Sequence, residues 1–343
     1  MTAAVSAHDA RFDSLTAWVG KALSAERFAL APASADASFR RYFRVTPEGS
    51  WRGHATLIAM DAPPPMENCA PYLHVAALLA EAGVHAPEIL AADLERGFVL
   101  MTDLGTRTYL DALDAASAPT LYGDAIEALV RWQGATRENA LKSYDEPLLM
   151  YELALFPDWY IGRHLERKLS AAQAKTLAEA FRLIVAHNLA EPRVFVHRDY
   201  HSRNLMVSEP NPGVLDFQDA VVGPITYDLV SLLRDAYVAW DEERQIDWAV
   251  RYWQRARKSS LPVRADFATF WRDFEWMGVQ RQLKVLGIFA RLYYRDGKPG
   301  YLDDMPRVMG YLRAACARYD ELAPLAALID ELEDRAPVPV AAL

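Results

Sequence analysis

One short segment spaces polar residues in a way that suits phosphoryl transfer. The segment VHRDYHSRNLMV places His197, Arg198 and Asp199 at the end of an apolar run, and Asn204 precedes the next run. Asp216 follows after a turn at 211–213. Transfer of the γ-phosphoryl group of ATP needs a carboxylate that orients the acceptor hydroxyl and oxygen ligands that hold Mg²⁺ on the phosphates. The pattern therefore predicts an ATP-dependent phosphoryl-transfer site.

Each polar residue of this pattern has a predicted role. Asp199 is predicted to orient the acceptor hydroxyl and take its proton, while Asn204 and Asp216 are predicted to hold Mg²⁺. His197 and Asp228, which opens a later apolar helix, are predicted to brace this loop. Taken singly, the same residues are better explained as loop caps, a core histidine and a first-turn helix carboxylate. Their joint spacing favours the catalytic interpretation.

The length of the following segment argues for a small acceptor. Between Asp216 and the apolar helix predicted from Ile225 there is no room for the long activation loop of a protein kinase. No APE-like segment follows either. A peptide substrate is therefore not expected.

Composition limits the other classes of function. The 343 residues carry 37 Lys and Arg against 46 Asp and Glu, a net charge of −9 that argues against nucleic acid as the main partner. The two cysteines, Cys69 and Cys316, lack metal-site spacing and are too few for a disulfide framework, which fits a reducing cytoplasm. No leader or long apolar run indicates secretion or a membrane. No obligate protein partner is evident.

The elements that must position the site fall into two parts. Helical spacing predicts helices at 11–23 and 72–82, and apolar runs predict strands at 39–45, 56–60, 89–94 and 98–102 in an antiparallel sheet. Long helices are predicted at 120–133, 148–165, 171–188, 225–240 and 267–294, with short strands at 194–196, 205–207 and 214–217. We expect an α+β fold with a small sheet lobe, 1–103, and a mainly helical lobe, 104–343.

The site resembles that of the aminoglycoside phosphotransferase family, small-molecule relatives of protein kinases. VHRDYHSRN matches the catalytic loop of that family and LDFQDAVVGPITYDL its metal loop. The resemblance implies a bilobal, protein-kinase-like fold that uses ATP and Mg²⁺. Within the family, the chain is most similar to kinases of cell-wall recycling that act on the anomeric hydroxyl of N-acetylmuramate and N-acetylglucosamine. The segments that carry this likeness are ASFRRYFRV, MDAPPPME, ELALFPDWY, QRQLKVLGIFARL and RDGKPGYLDDMPRV.

The family pattern also implies where nucleotide binds. The phosphate loop should lie within 33–42, which holds Ser34, Ser38 and Arg40 but no glycine, and adenine should meet the backbone of Thr102, Asp103 and Leu104. Met60 stands where the family places a lysine, and Tyr72 stands where its acidic partner belongs. Arg40 or its neighbour Arg41 is a candidate replacement, although arginines on an edge strand are equally typical of a solvated face. Gln218 follows Asp216-Phe217 in place of the usual glycine.

Candidates for the acceptor site are of two chemical kinds. Carboxylates beside an aromatic ring suit a sugar, and the candidates of this type are Glu152, Asp158, Trp159 and Asp219. Basic groups that suit a phosphate or an acidic acceptor are Arg203 in the catalytic loop and Arg281 with Lys284 on one helix face, a face that also carries Gln280 and Arg291. Arg307 is a further candidate. Without the resemblance, these residues are better explained as solvated helix faces and a core tryptophan.

Two other functions remain open at this stage. An aminoglycoside or choline-like kinase of the same fold would need a dense acidic pocket, whereas the C-terminal half interleaves arginines with its acids. A pseudokinase that binds nucleotide without turnover would fit the altered phosphate loop, but not the retained Asp199, Asn204 and Asp216.

Overall fold

The computed structural model describes residues 9–35 and 39–334. These residues form two compact units. The first comprises the chain up to Arg107 together with Met206–Asp219, and the second comprises Thr108–Leu205 and the chain from Ala220 onwards. The segment Met206–Asp219, which the sequence analysis placed in the second lobe, therefore groups with the first unit. None of the helices in the described part of the chain is both long and apolar enough to cross a bilayer.

The first unit is a five-stranded antiparallel sheet with two helices. Its strands are ordered β1-β2-β3-β5-β4, which confirms the predicted antiparallel sheet. The elements are α1 (Ala10–Leu23), β1 (Phe28–Ala35), β2 (Arg41–Pro47), β3 (Leu57–Asp61), α2 (Ala70–Glu81), β4 (Ile89–Asp93) and β5 (Phe98–Thr102).

The core of this unit follows from two sequence periods. Leu15, Trp18 and Val19 recur at helical spacing along α1, and their side chains are buried against the sheet. The sheet contributes alternate residues of its strands to this core, because successive strand side chains point to opposite faces. These are Phe43, Val45, Leu57, Ala59, Phe98 and Leu100.

Strand β1 was not predicted. Pro32 breaks its pattern in the sequence, since proline cannot donate a ladder hydrogen bond. In the structure β1 is the edge of the sheet, and its register with β2 shifts between Pro32 and Ser34. An edge strand with a bulge tolerates proline, which explains why a sequence that reads poorly as a strand forms one.

The second unit is mainly helical with short strand pairs at one side. β6 pairs with β9, and β7 pairs with β8. The division between the two units falls inside β7, between Leu205 and Met206. Two single turns of 3₁₀ helix lie at Pro299–Tyr301 and Asp320–Leu322. The elements are α3 (Tyr109–Ala112), α4 (Ala118–Gly134), α5 (Glu146–Leu155), α6 (Ala171–Leu189), β6 (Arg193–Val196), β7 (Leu205–Met206), β9 (Val221–Pro224), α7 (Tyr227–Leu233), α8 (Glu242–Lys258), α9 (Phe267–Tyr294), α10 (Met305–Cys316) and α11 (Ala323–Leu332). Strand β8 (Gly213–Val214) lies in the segment that belongs to the first unit.

Two predicted helices differ in the structure. The helix predicted at 148–165 is α5 followed by a π-helical segment, Phe156–His164, because Pro157 has no N–H with which to continue the α-helical ladder. The helix predicted at 225–240 is only α7, since Asp235 accepts hydrogen bonds from the backbone of Ser202 and Tyr237 and turns the chain away. Helices α8, α10 and α11 were not predicted.

Gly287 allows α9 to pass close to α5. A Cβ atom at this position would lie 2.4 Å from the carbonyl carbon and 2.5 Å from the carbonyl oxygen of Leu155. Because the obstacle is backbone, it cannot move aside as a flexible side chain would. The missing side chain at Gly287 therefore fixes the spacing of the two helices that carry Glu152 and Arg281.

We expect Gly287→Ala to lower the free energy of unfolding by about 3 kcal/mol, because the added methyl group overpacks this contact. The matched control is Gly310→Ala in α10, where an added Cβ meets nothing within 4 Å. That change should raise stability by up to about 1 kcal/mol. Urea unfolding of both variants is the measurement. Equal stability of the two variants would contradict the close helix contact.

Glu191 links the end of α6 to the start of α7. Its buried carboxyl accepts a hydrogen bond from the Thr226 hydroxyl at 2.7 Å. Burial raises the pKa of Glu191 well above its usual value, Asp273 raises it further, and Thr226 and Arg264 oppose the shift. Since a carboxyl with a raised folded-state pKa holds its proton longer in the folded chain, its stabilisation is lost as pH rises towards that pKa.

Glu191→Gln should therefore flatten the decline of melting temperature between pH 4.5, the ordinary pKa of this carboxyl, and pH 9. The amide imitates the protonated acid and cannot ionise, so the variant should be the more stable protein at the alkaline end. Thermal unfolding by circular dichroism across this range checks the expectation. Parallel curves for the parent and the variant would show that Glu191 is ionised in the folded chain.

Candidate active site

The carboxylate of Asp228 binds the backbone of the loop that follows β6. The backbone N–H groups of His197 and Arg198 donate to its two oxygens at 2.7 and 2.9 Å. Arg198 adopts a left-handed backbone conformation with φ of 79°. Burial raises the pKa of Asp228 to about 7, although the two backbone hydrogen bonds act to lower it. The short helix α7 thus positions a carboxylate that fixes the backbone of the loop.

Asp199 and Asn204 are joined within this loop. The side-chain amide of Asn204 donates to the backbone carbonyl of Asp199 at 3.0 Å, and the backbone N–H of Asp199 approaches Nδ1 of His197 at 3.3 Å. Burial acts to raise the pKa of Asp199, but the positive charge of Lys284 and other nearby basic groups outweigh it, so the pKa lies below its usual value. Asp199 is therefore an ionised carboxylate that can accept a hydroxyl proton.

A second carboxylate supports the same loop and was missed in the sequence. Asp235 accepts the backbone N–H of Ser202 at 2.8 Å, within the catalytic-loop segment. It lies just beyond the end of α7, so no helical spacing from Asp228 identifies it in the sequence.

Glu152 and Lys284 bind each other in a buried cluster. Lys284 Nζ lies 2.8 Å from Glu152 and 2.9 Å from the hydroxyl of Tyr227. Glu152 also pairs with Arg198 and accepts the hydroxyl of Tyr144, and it is 2% exposed. The charge of Lys284 is thus neutralised inside the protein. Both residues were predicted at the acceptor site, and the structure shows them occupied with internal partners.

The other acceptor candidates of the second unit lie nearer the surface. The guanidinium of Arg203 lies 3.7 Å from the ring centre of Tyr237, and Arg203 is exposed. Asp158 is exposed and Trp159 half-buried in the π-helical segment. Arg307 pairs with Asp304 at 2.9 Å.

The metal-loop residues belong to the first unit. Asp216 has a left-handed backbone with φ of 60°, an uncommon conformation for a residue with a side chain. Gln218 donates to the Asp216 carboxylate at 2.9 Å and approaches Asp219 at 3.4 Å. The buried ring of Phe217 packs on Tyr72 with ring centres 4.6 Å apart. Gln218 thus contributes a contact to Asp216 that a glycine could not make.

The phosphate-loop candidates are only partly visible. Ser38 lies outside the described residues, and Ser34 lies in β1. Arg40 pairs with Glu67 at 3.0 Å, and each side chain is 12% exposed. Glu67 was missed, although it belongs to the MDAPPPME segment. The pair has the chemistry of the lysine and acidic partner expected in kinases, with arginine as the cation.

Residues 102–104 line a cavity of about 860 Å³ within the first unit. Other walls come from α2, from 84–89 and from Ser208 and Glu209. The Asp103 carboxylate is engaged by the guanidinium of Arg44, with contacts of 2.5 and 3.1 Å, and by the N–H of Gly105. Asp103 therefore acts in the turn through its side chain and leaves only its backbone for a ligand.

The donor types fit a magnesium ion that is held mainly by phosphate. Across residues 9–35 and 39–334, no three His, Cys, Asp or Glu side chains cluster into a ready-made metal site. Mg²⁺ in kinases takes one or two protein oxygens and completes its shell with phosphate oxygens and water. The amide oxygen of Asn204 and the carboxylate of Asp216 are ligands of this kind.

Comparison with known proteins decides the family. Residues 29–269 match the model of the phosphotransferase enzyme family. The chain belongs to this phosphotransferase family. Relatives of the family include the "N-acetylmuramate/N-acetylglucosamine kinase" of Pseudomonas putida, 49% identical with 95% of this chain and 98% of the relative covered. The protein of the same name from Pseudomonas aeruginosa is 51% identical, with 94% and 97% covered.

The fold of this phosphotransferase is also shared by solved structures. An ADP-bound aminoglycoside phosphotransferase matches 87% of this chain and 97% of its own length, with a TM-score of 0.56 and 12% identity. This likeness concerns the fold alone. The predicted protein-kinase-like fold and the predicted kinase activity are thus confirmed, and nucleotide use is supported.

Proposed function

We propose that this phosphotransferase transfers the γ-phosphoryl group of ATP to the anomeric hydroxyl of N-acetylmuramate and N-acetylglucosamine. The observation that carries the proposal is the near 50% identity, along almost the full length, with two kinases named for these sugars. The chemistry suits a cytoplasmic step in peptidoglycan recycling, in which amino sugars released from the cell wall are phosphorylated.

In the proposed mechanism, Asp199 orients the C1 hydroxyl and takes its proton as the sugar oxygen forms a bond to the γ-phosphorus. The bond from phosphorus to the β–γ bridging oxygen breaks, and ADP leaves in the same in-line step. No phosphorylated enzyme forms. Asp228 and His197 hold the loop so that Asp199 is preorganised.

In the proposed nucleotide site, different residues bind the phosphates, the adenine and Mg²⁺. Residues 1–103 bind nucleotide, with Arg40, Ser34 and Ser38 at the phosphates and the backbone of 102–104 at adenine. Asn204 and Asp216 hold Mg²⁺, which when bound offsets negative charge on the phosphates.

The acceptor is proposed to bind the part of the chain after residue 104. Its ring packs on Trp159, and the polar candidates are Asp158, Asp219 and Arg203. Glu152 and Lys284 act there as positioning residues, because each is bound to the other.

The test is a substrate panel with phosphorus NMR. The purified protein, ATP and Mg²⁺ are incubated separately with N-acetylmuramate, N-acetylglucosamine, kanamycin and choline. We expect a new sugar 1-phosphate signal with the two amino sugars. Transfer to kanamycin or choline without transfer to the amino sugars would replace the proposal with the second candidate, and nucleotide binding without any product would indicate a pseudokinase.

A further inference from the structure

Arg281 is a buried cation with unpaired hydrogen-bond donors. It lies on α9 and is 4% exposed. Within the described ranges, its Nε and Nη1 atoms have no hydrogen-bond partner. Arg234, the other buried arginine there, also has unpaired Nε and Nη1 atoms, but its Nη2 atom pairs with Glu275 at 3.0 Å, so its charge is compensated. A buried donor without a partner is costly, and each such group in a folded protein calls for a ligand or water that completes it.

The carboxylates near Arg281 are already engaged by other groups. Both oxygens of Asp228 accept backbone N–H groups of the catalytic loop, whereas Asp235 accepts one from Ser202 in that loop and one from Tyr237. Arg281 lies about one turn before Lys284 on α9, and Glu152, the partner of Lys284, also pairs with Arg198 of the catalytic loop. The positive charge of Arg281 acts to lower the pKa of Asp228 and of His201. The positive charge of Arg281 therefore acts on the loop, while its Nε and Nη1 donors are unpaired.

Lys284 differs from Arg281 although it lies one turn later on the same helix. Its ammonium is bound to Glu152 and to the hydroxyl of Tyr227. An incoming anion would have to displace Glu152 to reach it. Of the two basic residues predicted for an acidic acceptor, Arg281 therefore has unpaired donors, whereas the ammonium of Lys284 is already bound.

Resting on the proposed function, we propose that Arg281 binds the lactyl carboxylate of N-acetylmuramate. The two acceptor sugars differ in this group, since N-acetylglucosamine carries a neutral hydroxyl at the same position. Charge-assisted hydrogen bonds from the unpaired N–H groups would satisfy both the guanidinium and the buried anion. Arg281 is then the residue that sets the preference between the acidic and the neutral sugar.

The test compares kcat/KM for both sugars in Arg281→Gln and Arg281→Lys. We expect the ratio of N-acetylmuramate to N-acetylglucosamine to fall about 30-fold in the glutamine variant, because a charged hydrogen bond is lost. The lysine variant should retain part of the ratio, since it keeps the charge without the planar donor geometry. Arg272→Gln removes a charge from the same helix, where Arg272 forms a surface pair with Glu321, and should leave the ratio as in the parent.

A change in the ligand provides a second arm that does not depend on folding of the glutamine variant. The methyl ester of N-acetylmuramate lacks the negative charge, so the parent protein should lose about the same factor with the ester as the variant loses with the acid. In Arg281→Gln the ester and the acid should be used almost equally. Equal losses for both sugars would assign Arg281 to bracing the loop and overturn the inference. Absence of product with either sugar in the parent protein would instead overturn the proposed function.

Discussion

Asp199→Asn is expected to lower kcat about 10³-fold with little change in KM for ATP. Asparagine keeps the shape of the side chain and the backbone contact with His197, but it cannot take a proton from the acceptor hydroxyl. A loss in kcat with KM retained is the signature of an interaction used in the transition state. Steady-state kinetics with N-acetylglucosamine and ATP is the measurement.

The control is Asp247→Asn, which removes a carboxylate from an exposed pair with Arg251 on α8. This variant should have the kinetics of the parent. Thermal unfolding should show that Asp199→Asn is folded. A fully active Asp199→Asn protein would remove this residue from the mechanism.

Glu152→Gln is expected to lower the free energy of unfolding by about 3 to 5 kcal/mol. The carboxylate compensates two cations, Arg198 and Lys284, in a buried cluster, and its loss leaves those charges without an anionic partner. The pKa of Glu152 lies below its usual value because the two cations outweigh the effect of burial, so it is an anion in the folded protein. Urea unfolding in the absence of sugar measures the loss.

Two comparisons make this prediction specific. Glu127→Gln breaks a surface pair with Arg255 and should cost less than about 1 kcal/mol. The double variant Glu152→Gln with Lys284→Met should recover part of the lost stability, because one uncompensated charge is removed. If Glu152→Gln unfolds like the parent while its KM for sugar rises, Glu152 contacts the acceptor directly and not through its partners.

The parts of the fold that could be predicted are those encoded by local periodicity. The spacing of Leu15, Trp18 and Val19 predicted α1, and the apolar residues of 267–294 predicted α9 with both ends. Strand β1 was not predicted and the end of α7 was predicted wrongly, because residues elsewhere in the chain determine both. Pro32 is tolerated only because β1 is an edge, and α7 stops where Asp235 reaches Ser202.

The candidate site divides in the same way. The spacing of His197, Asp199 and Asn204 is local and could be read directly, and Asp228 was predicted as the brace that its hydrogen bonds describe. Glu152 and Lys284 are 132 residues apart in the sequence, so no local pattern predicts that they pair. The pairing of Arg40 with Glu67 is likewise a consequence of tertiary structure.

The make-up of the first unit has a consequence for how the chain matures during synthesis. Residues 206–219 complete this unit: Val214 donates to the carbonyl of His85, and Phe217 covers Tyr72. A ribosome must therefore translate about a hundred further residues after Arg107 before the early sheet receives its last pieces. Until Phe217 is made Tyr72 is left uncovered, so chaperone capture of nascent chains should peak at lengths between 107 and 217 residues. A gene truncated at Arg107 should yield an aggregation-prone fragment and not a small nucleotide-binding domain.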